Sequence, residues 1–435
     1  MKKKVILLVL ICLILLISVF TCKFVSKSLN QIKETTKLDE NPIYSEDYSD
    51  LYMTDLSEQI RPKKLLVLLF FYTGNSYYKD GVETEINKLW SDYIFGTGTI
   101  EEQTASINDY IKEISNGKFY YEPVFIGGNT TGVYNVMLDK TYSDAQFIHK
   151  EYPYFDFHYD LAHAMDNLIE QGLDINSFTA PGVNNDNYID ILENIWGKGQ
   201  SYHNKEWYNT DTVLCIYPPV NLENVSFAPI SSEYNNFTKM AHIKYDSSFG
   251  TIVHELLHTI GTVDVYNYGS FGGDIMSSLY AELNDYYNTM HVNPYYKILF
   301  GWEKATVLEN SSRVVLYPAT SNKYNPIIIK TRDKGQYFII ENRKPDSFDR
   351  GITIDASDGV NIWRIDKLGL EAIYDVSRKG IIAETLTYEG QSKKLNYYAN
   401  YNNIKDVTEV FSGLKVDYIK KNEDGSIVVD IYHTK

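Results

Sequence analysis

His254-Glu255-Leu256-Leu257-His258-Thr259-Ile260-Gly261-Thr262-Val263-Asp264 is the stretch on which the reading of this chain turns. Two histidines four apart fall on one side of an α-helix, about one turn from each other, so both imidazoles can reach one metal ion. Glu255 sits one step round the helix, where it can hold and deprotonate a water rather than bind the metal itself. The apolar pattern supports the helix. At about 100° per residue, Phe249, Val253, Leu256 and Ile260 fall within roughly 60° of one another, and His254 and His258 fall on roughly the opposite side. The spacing therefore predicts an apolar back and a ligand-bearing front. Ser247 or Ser248 is suited to cap the start. Gly261 suits a left-handed position at the end, after which the chain can turn back and bring Asp264 to the metal as a third ligand. Three protein ligands with a fourth position open describe a catalytic zinc site rather than a structural one.

The rest of the 435-residue chain is consistent with a large folded protein. It is 44% hydrophobic and 14% aromatic, enough for two domains, or for one with an appendage. Its formal net charge of -16 argues against nucleic acid as a partner, because phosphate binding needs a basic surface. The 38 tyrosines, in pairs such as Tyr120-Tyr121 and Tyr295-Tyr296, read as compositional bias rather than as a binding motif. Lys2, Lys3 and Lys4 precede an apolar run from Val5 to Cys22. Residues 1–28 are therefore expected to be a signal peptide or an N-terminal membrane anchor, with the lysines on the cytoplasmic side. The bulk would lie outside the cell, secreted or tethered to the outer face of the membrane, with membrane contact only through this segment. Val19-Phe20-Thr21 is a poor match for the small residues that precede a lipid-modified cysteine such as Cys22. Of the three cysteines, Cys12 and Cys22 lie in the targeting segment. An exported chain left with Cys215 has no internal disulfide. Nor does any cysteine between 23 and 214 offer a thiolate to block the metal.

Along the chain, residues 29–62 are polar and acidic and read as a linker or short pro-segment. Lys64 to Phe71 is a buried strand. Helical stretches near 82–90, 105–115 and 157–171 follow, with strands expected at 118–126, 188–195 and 211–217. From about Thr306 short β-type runs dominate: Val314 to Tyr317, Pro326 to Lys330, Tyr337 to Glu341, Val360 to Ile365 and Ser426 to Tyr432. The expected division is 63–305 for a metal-binding domain and 306–435 for a C-terminal all-β domain.

Taken with Val265-Tyr266, the ligand run resembles the metzincin peptidases, specifically the immune-inhibitor-A-like family, which has aspartate where most metzincins have a third histidine. Asp274-Ile275-Met276-Ser277 is similar to that family's Met-turn. The strand at Leu65 to Phe71, the segment Ser106 to Lys118, the helix Tyr296 to Trp302, and the runs Tyr337 to Arg343 and Gly359 to Asp366 resemble it by order and spacing. The resemblance covers residues 62–370. It implies an α+β fold, a mixed twisted sheet with an active-site helix, followed by all-β structure. It further implies Zn2+ on His254, His258 and Asp264, Glu255 as general base and then proton donor, and Met276 as an apolar floor. Protein or peptide substrates would lie extended, adding to a strand edge, and be cut by a zinc-activated water.

Two features depart from the family pattern. Ser278 stands where many metzincins have a tyrosine, leaving Tyr280 and Tyr266 as the nearest partners for an oxyanion. Asn184-x-Asp186-x-x-x-Asp190 keeps only part of an acidic loop and reads as an Asx-type turn ahead of a Ca2+ site. His149, His158, His163, His203, His242, His291 and His433 show no ligand spacing and default to core or surface positions. Two rival readings stand beside it: a surface binding protein on an inactive or incidental metallopeptidase scaffold, with the β region as its adhesive part, and a zinc hydrolase of non-peptide amides or glycan-linked peptides that uses the same residues.

Overall fold

The structure is a computed structural model. It describes residues 37–47, 51, 57, 60–73, 83–141, 155–178, 210–217, 239–262, 264, 273–277, 289–331, 336–353, 359–366, 381–386, 396–400 and 413–433. The expected targeting segment, the strand at 188–195, the Asn184–Asp190 loop, Tyr266 and Tyr280 lie outside these residues. The protein is a mixed α/β molecule that divides into two compact units. An α/β unit comprises Thr54–Lys304 and Pro345–Asp355; a β unit comprises Met1–Met53, Ala305–Lys344 and Ala356–Lys435. Among the described residues no helix is long and apolar enough to cross a membrane.

The α/β unit is built round β2 (Lys63–Thr73), whose interior is buried from Leu65 to Tyr72. A continuous apolar run of this kind marks a strand covered on both faces, as in parallel sheets. β2 pairs in parallel with β5 (Thr212–Tyr217) on one side. On its other side it pairs with β3 (Tyr121–Pro123) through Lys63–Leu65, and with β4 (Val133–Thr141) farther along. β6 (Lys239–Lys244) adds in parallel to β5. Every described pairing in this sheet is parallel, so the antiparallel part of the expected mixed sheet is not among the described residues. Phe70 stacks on Tyr217 at 4.5 Å. One layer of core joins the sheet to α3 (Phe155–Glu170) through Leu161, Ala164, Met165 and Leu168. α1 (Glu83–Phe95) precedes α2 (Ile107–Ile114), which opens with a reciprocal capping box between Ser106 and Asp109.

Asn108, buried on α2, locks β3 in place. Its Nδ2 donates to the Tyr121 carbonyl at 2.7 Å, and its Oδ1 accepts from the Tyr121 N–H at 2.8 Å. Tyr121 in turn sends its hydroxyl to the Leu256 carbonyl at 3.3 Å, inside the ligand helix α4 (Phe249–His258). α5 (Pro294–Leu299) starts with Asn293 as N-cap and proline at its first position, as helix starts favour. Its far end is held by Lys118, whose Nζ donates to the carbonyls of Gly301 and Trp302. The expected helices and the β2 and β5 strands therefore correspond to observed elements. β4 and β6 are additional strands.

The β unit has two antiparallel-rich sheets that share one core. The larger runs β1 (Tyr44–Ser45), β7 (Thr306–Leu308), β9 (Ile327–Lys330), β10 (Gln336–Arg343), β11 (Gly359–Asp366), β12 (Ile381–Leu386). The smaller runs β13 (Asn396–Asn400), β14 (Gly413–Lys421), β15 (Ile427–His433), β8 (Ser312–Leu316). Ile329, Phe338, Ile340 and Ile362 from the first meet Leu316, Val416, Val429 and Ile431 from the second in one cluster. Burial alternates along β8, as a strand with one face on a core requires. The stretch 29–62 thus supplies β1, paired with β7 through Tyr44 and Leu308, in addition to whatever connecting role it has. A 3-10 segment, Ser347–Thr353, lies between β10 and β11 in sequence yet belongs to the α/β unit.

Candidate metal centre

α4 is short, and its position comes from both ends. Ser248, one of the two expected caps, accepts from the Thr251 N–H at 3.2 Å. The helix closes at His258, with Thr259 as C-cap, and Gly261 follows two residues later at φ +102. That left-handed backbone favours glycine and turns the chain back towards Asp264. Sequence periodicity predicts two faces. In the structure every α4 residue except Thr251 is buried, so the ligand face opens into the protein rather than onto solvent.

The four residues expected from the sequence are brought together. His254 Nε2 and His258 Nε2 are 3.1 Å apart. Each is also 3.1 Å from Asp264 Oδ1. A tetrahedral ion with bonds of about 2.0–2.1 Å has ligand–ligand edges of roughly 3.3 Å, close to this triangle. The outer nitrogens fix which atoms point inward. His254 Nδ1 donates to the Ile275 carbonyl and His258 Nδ1 to the Thr262 carbonyl, both at 2.9 Å. In the neutral imidazoles this leaves both Nε2 atoms as lone-pair donors. Two such nitrogens and a carboxylate oxygen converging at 3.1 Å repel one another unless a positive centre lies among them, which is the donor set of a divalent metal.

The charges agree. Burial lowers the proton affinity of both histidines. For His254 burial prevails, and its pKa falls below the ordinary value despite the Asp264 contact. For His258 the hydrogen bond and charge of Asp264, with Glu255 behind, outweigh burial and hold it up at about 9. What the two imidazoles share is the Asp264 carboxylate, whose negative charge favours a cation between them. Burial alone would raise the Asp264 pKa, but the two imidazoles against its Oδ1 outweigh burial and hold the carboxyl well below the usual carboxylate range.

Glu255 is of a different kind. It is only 2% exposed, and its Oε2 has no hydrogen-bond partner among the described residues. Burial pushes its pKa well above the carboxylate range. One ligand-type atom each from His254, Glu255 and His258 lies within 4.8 Å of the others. A carboxylate desolvated beside a metal-type donor set, with one oxygen uncommitted, is placed to exchange a proton with a bound molecule. Met276 is fully buried, and its Sδ receives the Thr262 hydroxyl at 3.5 Å.

The backbone carbonyls that orient the two imidazoles have no counterpart in the sequence reading, because main-chain acceptors leave no trace in residue type. His291, which the sequence leaves without ligand spacing, is a buried group between Glu113 and Lys297. Comparison of the chain with protein-family models and with curated proteins finds no match in either.

Proposed function

We propose that the protein is an exported zinc-dependent endopeptidase whose α/β unit is a metzincin-like catalytic domain. The observation that carries this reading is the triangle of His254 Nε2, His258 Nε2 and Asp264 Oδ1, all 3.1 Å apart, with the uncommitted Glu255 carboxylate beside it. The parallel sheet leading into α4 and the buried Met276 after it support the same assignment. A divalent ion in the triangle supplies Lewis acidity that polarises a peptide carbonyl and acidifies water. The residues of the chain do the rest. Ile275 and Thr262 hold the imidazoles in the tautomer that presents Nε2. Glu255 takes a proton from the attacking water as its oxygen bonds to the carbonyl carbon. As the C–N bond breaks, Glu255 delivers that proton to the leaving nitrogen, so it ends as it began. The low-dielectric surroundings that raise its proton affinity suit it to both directions of transfer.

Export is part of the proposal, and it rests on Lys2–Lys4 and the apolar run from Val5 to Cys22. The decisive variant is Glu255→Gln, which keeps the shape of the side chain and removes the base. It should bind zinc like the parent and lose protein cleavage by about 10³-fold or more. Undiminished cleavage by purified Glu255→Gln would remove Glu255 from the chemistry and the assignment with it.

A further inference from the structure

Behind the candidate metal centre lies a second cluster of buried polar groups that the proposed chemistry does not use. Its elements are α2, the segment 289–293, α5 and the strap Ser347–Thr353. His291 is at its middle, fully buried. The Lys297 ammonium, a donor only, gives a hydrogen to His291 Nδ1 at 2.9 Å, so His291 Nε2–H donates to Glu113 Oε1 at 2.9 Å. The strap closes the cluster from the other side. Ser347 donates its hydroxyl to Glu113, the Phe348 N–H donates to Glu113 Oε1 at 3.3 Å, and Asp349 Oδ1 accepts the His291 backbone N–H at 2.9 Å. Gly351 N–H reaches the Thr289 carbonyl at 2.7 Å. The Phe348 ring stacks on Phe249, the first residue of α4, at 6.1 Å and meets Tyr110 edge-on at 5.4 Å.

From this cluster a short path leads to the ligands. The His291 carbonyl accepts the Ile275 N–H at 3.3 Å, and the Ile275 carbonyl accepts His254 Nδ1–H at 2.9 Å. Two residues on, Asn293 Nδ2 donates to Asp274 Oδ2 at 2.6 Å, while Asp274 Oδ1 accepts the Met276 N–H at 3.1 Å. The turn that carries the His254-orienting carbonyl is therefore hung on residues 291–293, where Asp349 holds the His291 N–H and Glu113 the His291 ring. Ser347 sits at φ +48, a left-handed backbone that serine rarely adopts. Asp349 is fully buried where it accepts the His291 N–H.

We propose that Asp349 and Glu113 are positioning residues of the metal centre. The strap, inserted in the chain between β10 and β11, sets through His291 and the Ile275 carbonyl the orientation in which His254 presents Nε2. This rests on the metallopeptidase reading above. Groups behind a ligating histidine typically change metal affinity by about 10–100-fold when removed.

The test uses the full chain and two readouts besides activity: zinc affinity by competition with a chromogenic chelator, and the visible spectrum of the cobalt-substituted protein. Asp349→Ala should weaken zinc binding about tenfold and alter the cobalt spectrum. Asp349→Asn, which keeps an oxygen for the His291 N–H, should restore both. Arg350→Ala, which removes the strap's ion pair to Glu101, should change neither. Where Asp349→Ala fails to fold, Ser347→Ala removes a single hydroxyl from the same grip and should weaken zinc binding about two- to fivefold. A folded Asp349→Ala or Ser347→Ala with parental zinc affinity and cobalt spectrum overturns the positioning role alone. A parent chain that binds no zinc overturns the metallopeptidase reading and this inference together.

Discussion

Asp264 is the residue on which the metal reading depends most, because one carboxylate oxygen contacts both imidazoles. Replacing it with alanine removes a ligand and the charge that favours a cation. Asp264→Ala should weaken zinc binding on the order of a thousandfold, one ligand's share of the about 10–16 kcal/mol typical of a whole zinc site, measured by chelator competition. Lys63 makes an independent prediction about stability. It is 4% exposed at the start of β2. Burial lowers its pKa to about 8, with Asp211 opposing that fall and Arg61 adding to it. Its folded pKa thus lies below its unfolded one, so folding costs most while the lysine is charged in both states. That cost is fully present below pH 8 and is relieved as pH rises from about 8 to about 10.4. Lys63→Met should raise the thermal midpoint at pH 7 and flatten its rise across that alkaline window; an unchanged profile would show that the ammonium reaches water. At this level the sequence is informative where spacing fixes geometry. The i, i+4 histidines and the glycine before Asp264 need no partner elsewhere in the chain to be recognised. The carbonyls of Ile275 and Thr262, and the use of His291, depend on segments that meet only in the folded molecule.

Among the elements, α2 and β3 matter to the site because Tyr121 reaches from β3 to α4. Asn108 makes both of its bonds to the Tyr121 backbone, and no water-exposed substitute exists for a residue 3% exposed. Asn108→Ala leaves a buried N–H and a buried carbonyl unpaired and should destabilise the fold by about 2–4 kcal/mol, read by denaturant unfolding. Strongly patterned elements were legible in the sequence. β2 is a continuous apolar run, and α2 carries a capping box and ends in Asn116-Gly117, both at positive φ. β4 was not legible. Its exposed Asn135 and Met137 alternate with buried neighbours over a short stretch, and its pairing to β2 is a parallel crossover that no local signal announces. β1 is two residues long and gains its identity only by pairing with β7 across more than 250 residues of chain.

For the whole molecule, the chain divides into an α/β unit and a β unit, and Pro345–Asp355, between β10 and β11 in sequence, belongs to the α/β unit. A short polar segment between two strands reads as a loop, and its burial follows from the partners Glu113, Thr289 and Phe249 rather than from its own composition. Because a metal bound by the folded site and not by the unfolded chain stabilises by mass action, chelation should lower the melting temperature, and added zinc should restore it. The most direct measurement is a zinc titration of chelator-stripped full chain, with hydrolysis of a peptide library followed at each step. Peptide-bond cleavage should be absent at the start, rise in proportion to added zinc and level off at about one equivalent per chain, as one three-ligand site requires. Full cleavage in the presence of chelator, or none at any zinc concentration, would contradict a zinc peptidase built on His254, Glu255, His258 and Asp264.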